Sequence, residues 1–138
     1  MQRTLAIVKP DGVASGLIGE VVKRIEQEGL RIVAMRMEHL TRSKAEGFYY
    51  VHRSRPFFDS LVEFMTSGPC VLMTLEGPDA IPRWRALMGA TDPQKAAPGT
   101  IRRDMATGIE RNVVHGSDAP ETASYEVNYF FTGTQIAQ

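Results

Sequence analysis

Among side chains able to act as nucleophile or base near neutral pH, the chain offers three histidines and one cysteine. Imidazole is both largely neutral and strongly nucleophilic in that range, which suits capture of a phosphoryl group from an anionic donor. His39 closes a predicted strand among charged neighbours and His52 sits on a polar helix flank, so both are read as surface residues. His115 stands apart. It lies at a predicted strand end, followed by Gly116 and by Ser117-Asp118 at a helix start, where a side chain can face a cleft. If His115 accepts phosphate, the shifting charge must be matched by fixed cations and donors, and Arg85, Arg102 and Thr91 are candidates. Plain solvation accounts for them equally well, because 16 basic residues place several arginines near any cleft. Glu126, eight positions after Asp118 on the last predicted helix, can reach back to orient the imidazole or can simply face solvent.

Lys9 ends the first apolar segment beside Pro10-Asp11-Gly12, where an ordinary exposed charge is as good a reading as a ligand. Gly12, Gly16 and Gly19 invite a phosphate-loop interpretation, but their spacing matches neither G-x-G-x-x-G nor G-x-x-x-x-G-K-[ST]. Tyr49 and Phe57 flank a predicted helix-helix turn. Phe57 opens an apolar stripe, which favours core packing, although an aromatic at a helix start beside a cleft can also stack on a nucleobase.

The elements that must hold these residues follow from the periodicities. Leu5-Ala6-Ile7-Val8 has the pattern of a strand covered on both faces. Leu17, Ile18, Val21, Val22 and Ile25 form the stripe of an amphipathic helix stopped by Gly29, and Leu30 to Met37 returns to strand character. Ser43-Lys44-Ala45-Glu46 has the form of a capping box for a helix running towards His52, and a second helix is expected from Phe57 to Met65. Val71 to Leu75 is the third strand. Asp79 is the expected cap of a helix through Leu87, with Pro82 in its first turn. Gly89 to Gly99 has loop composition, with a short helix expected near 101–106. Asn112 to His115 is the fourth strand, and Asp118 with Glu121 three residues on makes a capping-box-like start for the last helix. The expected fold is α+β: a ferredoxin-like split βαβ with a four-stranded, mostly antiparallel sheet and its helices on one side.

Composition bounds the function. The 138 residues carry 16 Lys+Arg against 16 Asp+Glu, which removes the bulk electrostatic drive towards nucleic acid or an anionic membrane. Any phosphate site must be local. Cys70 is the single cysteine, which excludes a disulfide within the chain and zinc-ribbon or paired-thiol chemistry, and favours a reducing compartment, the cytoplasm. Apolar runs such as Cys70 to Leu75 are far below the ~20 residues of a membrane helix. One domain over 1–138 is expected, with no targeting segment.

Lys9-Pro10-Asp11-Gly12, Arg55-Pro56-Phe57-Phe58, Ser67-Gly68-Pro69, Gly89-Ala90-Thr91-Asp92-Pro93, Gly99-Thr100-Ile101-Arg102 and Asn112-Val113-Val114-His115-Gly116-Ser117-Asp118 together closely resemble the nucleoside diphosphate kinase family, in order and nearly end to end. The resemblance implies that His115 is the nucleophile that becomes phosphohistidine, with Glu126 and Ser117 holding its ring. It implies that Lys9, counted among the catalytic residues too, and Tyr49, Arg85, Thr91, Arg102 and Asn112 take the phosphates, the sugar and the transferring group. Phe57 matches the aromatic on which the base lies. The implied activity is ping-pong transfer of a γ-phosphoryl group from ATP or another NTP to an NDP, with broad base and sugar tolerance. Mg²⁺ would be bound mainly through the nucleotide phosphates rather than by protein ligands. A homo-oligomer, tetramer or hexamer, is implied, with no requirement for nucleic acid or membrane. Asp92, Arg103 and Trp84 depart from the usual family residues at their positions, and none of them is a site residue.

Two other classes fit parts of the pattern. A single-stranded RNA-binding module can use a split βαβ sheet, but the K/R-G-F/Y-G/A-F-V-x-F/Y segment is absent. A phosphohistidine carrier between proteins needs His115 but no base-stacking Phe57.

Overall fold

The computed structural model describes residues 1–137. Strand β1 (Gln2–Val8) divides the core by its alternation: Leu5 and Ile7 enter one apolar cluster, Ala6 and Val8 the other. It pairs with β3 (Cys70–Gly77) along its whole length, from Gln2↔Gly77 to Val8↔Val71, and on its other side with the short β4 (Val114–Gly116). β2 (Arg31–Glu38) lies beyond β3, with an irregularity between Ile32 and Ala34. The order β2-β3-β1-β4, antiparallel at every pairing, is the ferredoxin-like arrangement expected from the sequence.

The helices take both faces of this sheet, not one side. α2 (Ile18–Gln27) and α5 (Ala80–Met88) contribute Val21, Ile25, Trp84 and Met88 to the cluster that holds Ala6 and Val8. α3 (Arg42–Phe48), α4 (Phe58–Met65) and α7 (Pro120–Phe130) supply Phe48, Val62, Met65, Val127 and Phe130 to the cluster of Leu5 and Ile7. The reason lies in the central strands, since β3 likewise sends Leu72 to one cluster and Val71, Met73 and Leu75 to the other. A strand apolar on both sides must be covered on both.

Several local expectations are corrected. Pro10-Asp11-Gly12, which the sequence reads as a turn ending the first strand, lies in a short helix, α1 (Pro10–Ala14), with Pro10 in its first turn, where the missing N–H costs nothing. The cap of α3 is Thr41, whose hydroxyl accepts from the Lys44 N–H at 3.1 Å, and Ser43 lies inside the helix. Asp79 stands at the start of α5 but makes no side-chain cap; the Ile81 N–H donates instead to Gln2 Oε1 at 2.8 Å. At α7, Thr122 Oγ1 accepts from the N–H groups of Asp118 and Ala119, and the Asp118 carboxylate is engaged elsewhere. β4 begins at Val114, two residues later than expected. The loop 89–99 carries neither helix nor strand and leads into α6 (Ile101–Met105).

Candidate active site

Gly116 determines how closely α5 approaches β4. A Cβ at that position would lie 2.6 Å from Trp84 Cδ1 and 2.7 Å from Met88 Cε. The contact lets Trp84 Nε1 donate to the His115 carbonyl at 3.0 Å, tying the backbone of the candidate nucleophile to a fully buried side chain. The imidazole is held from its other end. Its Nε2 lies 2.9 Å from Glu126 Oε1, and Ser117 Oγ donates to the same oxygen at 2.8 Å while accepting from the Leu5 N–H at 3.1 Å. With the proton on Nε2 directed at a carboxylate, Nδ1 is the nitrogen with a free lone pair. Phe48 packs edge-on against the ring, centroids 5.4 Å apart, and the imidazole is only 18% exposed.

The cations converge from three elements. Lys9, at the end of β1, donates from Nζ to Asn112 Oδ1 at 2.8 Å, and Asn112 Nδ2 donates to the Ile109 carbonyl at 2.8 Å. Burial is the main reason that the Lys9 ammonium titrates low, at about 8, and neighbouring Arg102 adds to it against the pull of Asp11 and Glu110. Arg102, from α6, is buried with its guanidinium against backbone carbonyls: Nε to Asn112 at 3.4 Å, Nη1 to Gly89 at 3.0 Å and Nη2 to Val114 at 2.8 Å. A guanidinium has five N–H groups, so two remain for a ligand. Burial, then the charge of Arg85, lowers its value to about 10. Arg85, from α5, is more exposed and donates to Asp118 Oδ1 at 2.6 Å.

The candidate site residues come together. Lys9, Tyr49, Phe57, Arg85, Thr91, Arg102, Asn112 and His115 line one cleft of about 550 Å³, and Glu126 and Ser117 stand behind His115. That volume is in the range of small-molecule sites. The Tyr49 hydroxyl is buried without a protein partner, and desolvation, with Glu126 as a further cause, raises its titration so that it stays a donor. His52, expected on the surface, lines the cleft with its ring 5.6 Å from that of Phe57. Ile109, Glu110, Leu61 and Met88 also line it, and none of them is a site candidate in the sequence. The signal for Ile109 is faint: an apolar residue, 63% exposed here, in an otherwise polar stretch. Apolar lining on one part and cations on another equip the cleft for a ligand with a flat apolar group and an anionic tail.

Comparison with known proteins agrees. The family model for nucleoside diphosphate kinase matches residues 2–136. The nucleoside diphosphate kinase of Desulfosudis oleivorans is 68% identical over 136 residues, covering 99% of this chain and 98% of the relative. That of Thiobacillus denitrificans is 60% identical, covering 99% and 96%. Among solved structures, the nucleoside diphosphate kinase of Aquifex aeolicus superimposes with a TM-score of 0.96 at 49% identity, covering 99% of each chain. The halophilic enzyme from Halobacterium salinarum, solved in complex with CDP, gives 0.95 at 44% identity, covering 99% of this chain and 91% of that one.

Proposed function

Since this chain belongs to the nucleoside diphosphate kinase family, and so transfers the γ-phosphoryl group of a nucleoside triphosphate to a nucleoside diphosphate through a phosphohistidine, we propose that His115 carries that group and that the cleft around it binds the nucleotide. The observation that carries this reading is the Glu126 contact to Nε2, which leaves a lone pair on Nδ1 within the cleft lined by Lys9, Arg85 and Arg102.

The Nδ1 lone pair attacks the γ-phosphorus, the bond from that phosphorus to the β–γ bridging oxygen breaks, and its electron pair leaves with the diphosphate. In the second half, a β-phosphate oxygen of the incoming diphosphate attacks the same phosphorus and the P–N pair returns to Nδ1. Glu126 keeps the Nε2 proton in place throughout and stabilises the positive charge that the ring acquires on attack. Arg102, its guanidinium fixed by three carbonyls, offers its free N–H groups to the transferring oxygens without rearrangement. Lys9 and Asn112 grip the sugar and phosphates, while Tyr49, Arg85 and Thr91 complete the donor set. Phe57, 47% exposed on the cleft wall, supplies a face for the base, the part of the cleft that CDP would fill.

Mg²⁺, when bound, would be held mainly through the nucleotide phosphates. Among the described residues no group of three or more His, Cys, Asp or Glu could hold a metal, and the donor set of the cleft fits a hard cation held mainly by phosphates and water. Asp118, which lines the cleft and accepts from Arg85 at 2.6 Å, would contribute the protein's share, and the ion would neutralise phosphate charge.

His115→Ala tests the assignment: exchange between NTP and NDP should become undetectable while nucleotide still binds, and residual wild-type exchange overturns it. We also assign a homo-oligomeric state, tetramer or hexamer, to be checked by sedimentation, where a monomer mass at micromolar concentration refutes it. The free, buried thiol of Cys70 fits a reducing cytoplasmic location, checked by cell fractionation.

A further inference from the structure

Asn112 and His115 line the same cleft although they are three positions apart. In a continuous strand, residues of odd separation point to opposite faces. The chain resolves this at Val113. Its φ is +75°, and the Val114 N–H donates back to the Asn112 carbonyl at 2.9 Å, closing a three-residue turn of the strained, positive-φ kind. Asp79 is the other non-glycine residue with positive φ among those described, and a β-branched side chain is the least suited to it. Such a conformation persists only where the surroundings over-determine it.

Here the surroundings come from the segment 9–12. The Lys9 N–H donates to the Val113 carbonyl at 2.7 Å, and Asp11 Oδ2 accepts the Val113 N–H at 3.1 Å. Both backbone groups of the strained residue are thus held by residues two apart in sequence. A Cβ on Gly12 would lie 3.0 Å from Val113 Cγ1, so the segment closes over the valine side chain as well. Of these contacts, the Asp11 carboxylate is the one a side chain supplies. Its other oxygen is buried without a partner, so the group is kept inside at a cost that this single bond must help offset.

We infer that Asp11 is a positioning residue for phosphoryl transfer: by accepting the Val113 N–H it keeps the turn closed, and the turn puts the Lys9–Asn112 pair and His115 on one wall. The inference rests on the assignment of His115 made above. Asp11 acts through the backbone and does not touch the reacting atoms. Its charge also acts on Lys9, which gives a rival role that the test must separate.

The test is a double-mutant cycle of Asp11→Ala and Val113→Gly, followed by phosphoenzyme formation and kcat/KM, with Asp11→Asn beside it. Glycine adopts positive φ without steric cost, so the clamp matters less in its presence. Assays are run well below the titration of Lys9, on protein shown folded by circular dichroism. The expected result is that Asp11→Ala slows phosphoenzyme formation by on the order of 10- to 100-fold when Val113 is present and by less than about fivefold in the Val113→Gly background. Asp11→Asn, which keeps an acceptor oxygen and loses the charge, should stay within about threefold of wild type. Equal losses from Asp11→Ala in both backgrounds overturn the inference. So does an Asp11→Asn variant as slow as Asp11→Ala, since charge rather than the hydrogen bond would then be responsible. If Asp11→Ala does not fold, Asp11→Ser, too short to reach the same N–H, replaces it in the cycle. Failure of the His115 assignment is separately visible as absence of phosphohistidine in the unmodified enzyme.

Discussion

Glu126 Oε1 lies 2.9 Å from His115 Nε2, where a carboxylate accepts the Nε2–H and so leaves the free lone pair on Nδ1. The same carboxylate oxygen accepts from Ser117, itself anchored to β1 through the Leu5 N–H. Orientation of the nucleophile therefore runs from the central strand through two side chains. Glu126→Ala should lower the rate of phosphoenzyme formation by about tenfold or more, the scale of general-base and orienting groups, with KM for nucleotide little changed. Ser117→Ala should produce a smaller loss of the same kind. Single-turnover phosphorylation measures both, and a rise in KM at constant kcat contradicts an orienting role.

Lys9 gives a pH prediction with a definite sign. Its ammonium titrates at about 8 in the fold against 10.5 in the unfolded chain, chiefly because it is buried. Between those values the folded state binds fewer protons, so stability rises with pH. The penalty for burying the charge, about 3 kcal/mol at most, is full below about pH 8 and is lifted as the pH approaches 10.5. Nucleotide affinity moves the other way, because the phosphates need the charged form. At about pH 9 nucleotide binding should take up close to one proton, seen as a dependence of the calorimetric heat on buffer ionisation enthalpy, and Lys9→Met should abolish the uptake. Uptake unchanged in that variant assigns the proton to another group.

Arg102 is a structural tie as well as a phosphate ligand. Arg102→Ala should cut turnover by about tenfold or more and also lower the melting temperature, because three buried or partly buried carbonyls lose their donor. Arg102→Lys keeps the charge but cannot serve all three carbonyls, so it should restore little. Wild-type turnover in Arg102→Ala at saturating nucleotide contradicts the phosphate role, and an unchanged melting temperature contradicts the structural one.

The contacts around Arg102 and Val113 mark where the sequence stops being legible. Periodicity finds the strands and the longer helices, and the apolar continuity of β1 points to cover on both faces, although the fold expected from element order keeps the helices on one side. The candidate site residues are expected from the resemblance, most of them from within its matched segments, and the fold gathers them at one cleft. Capping is misleading in the sequence because Ser43 and Asp118 match the local pattern as well as the true acceptors, Thr41 and Thr122, do. Thr41 wins at α3 because it stands just before the first helical residue, and Asp118 is drawn away by Arg85. The positive φ of Val113 has no sequence signal, since nothing local favours a β-branched residue there and only segment 9–12, some hundred positions distant, holds it. His52 and Ile109 escape sequence reading for a related reason: cleft membership is decided by how the 50–57 and 106–112 segments meet, which no short-range pattern records.

Phe57 predicts broad selectivity. It presents an aromatic face, every base has a π-face, and stacking contributes about 1 to 3 kcal/mol without reading the base edge. Catalytic efficiencies for ADP, GDP, CDP, UDP and their deoxy forms should lie within about two orders of magnitude, a spread of no more than about 3 kcal/mol. Phe57→Ala should weaken all of them, purines most, because they stack over more area. A ten-thousandfold preference for one diphosphate, or a Phe57→Ala enzyme with unchanged values, contradicts stacking as the source of affinity.

The most direct measurement is a pulse and chase. The enzyme is incubated with γ-labelled ATP and no acceptor, the phosphoenzyme is isolated and mapped, and GDP is then added. The account predicts about one acid-labile label per chain, located on His115, and its complete transfer to GTP. Label on any other residue, or label retained by His115→Ala, contradicts it.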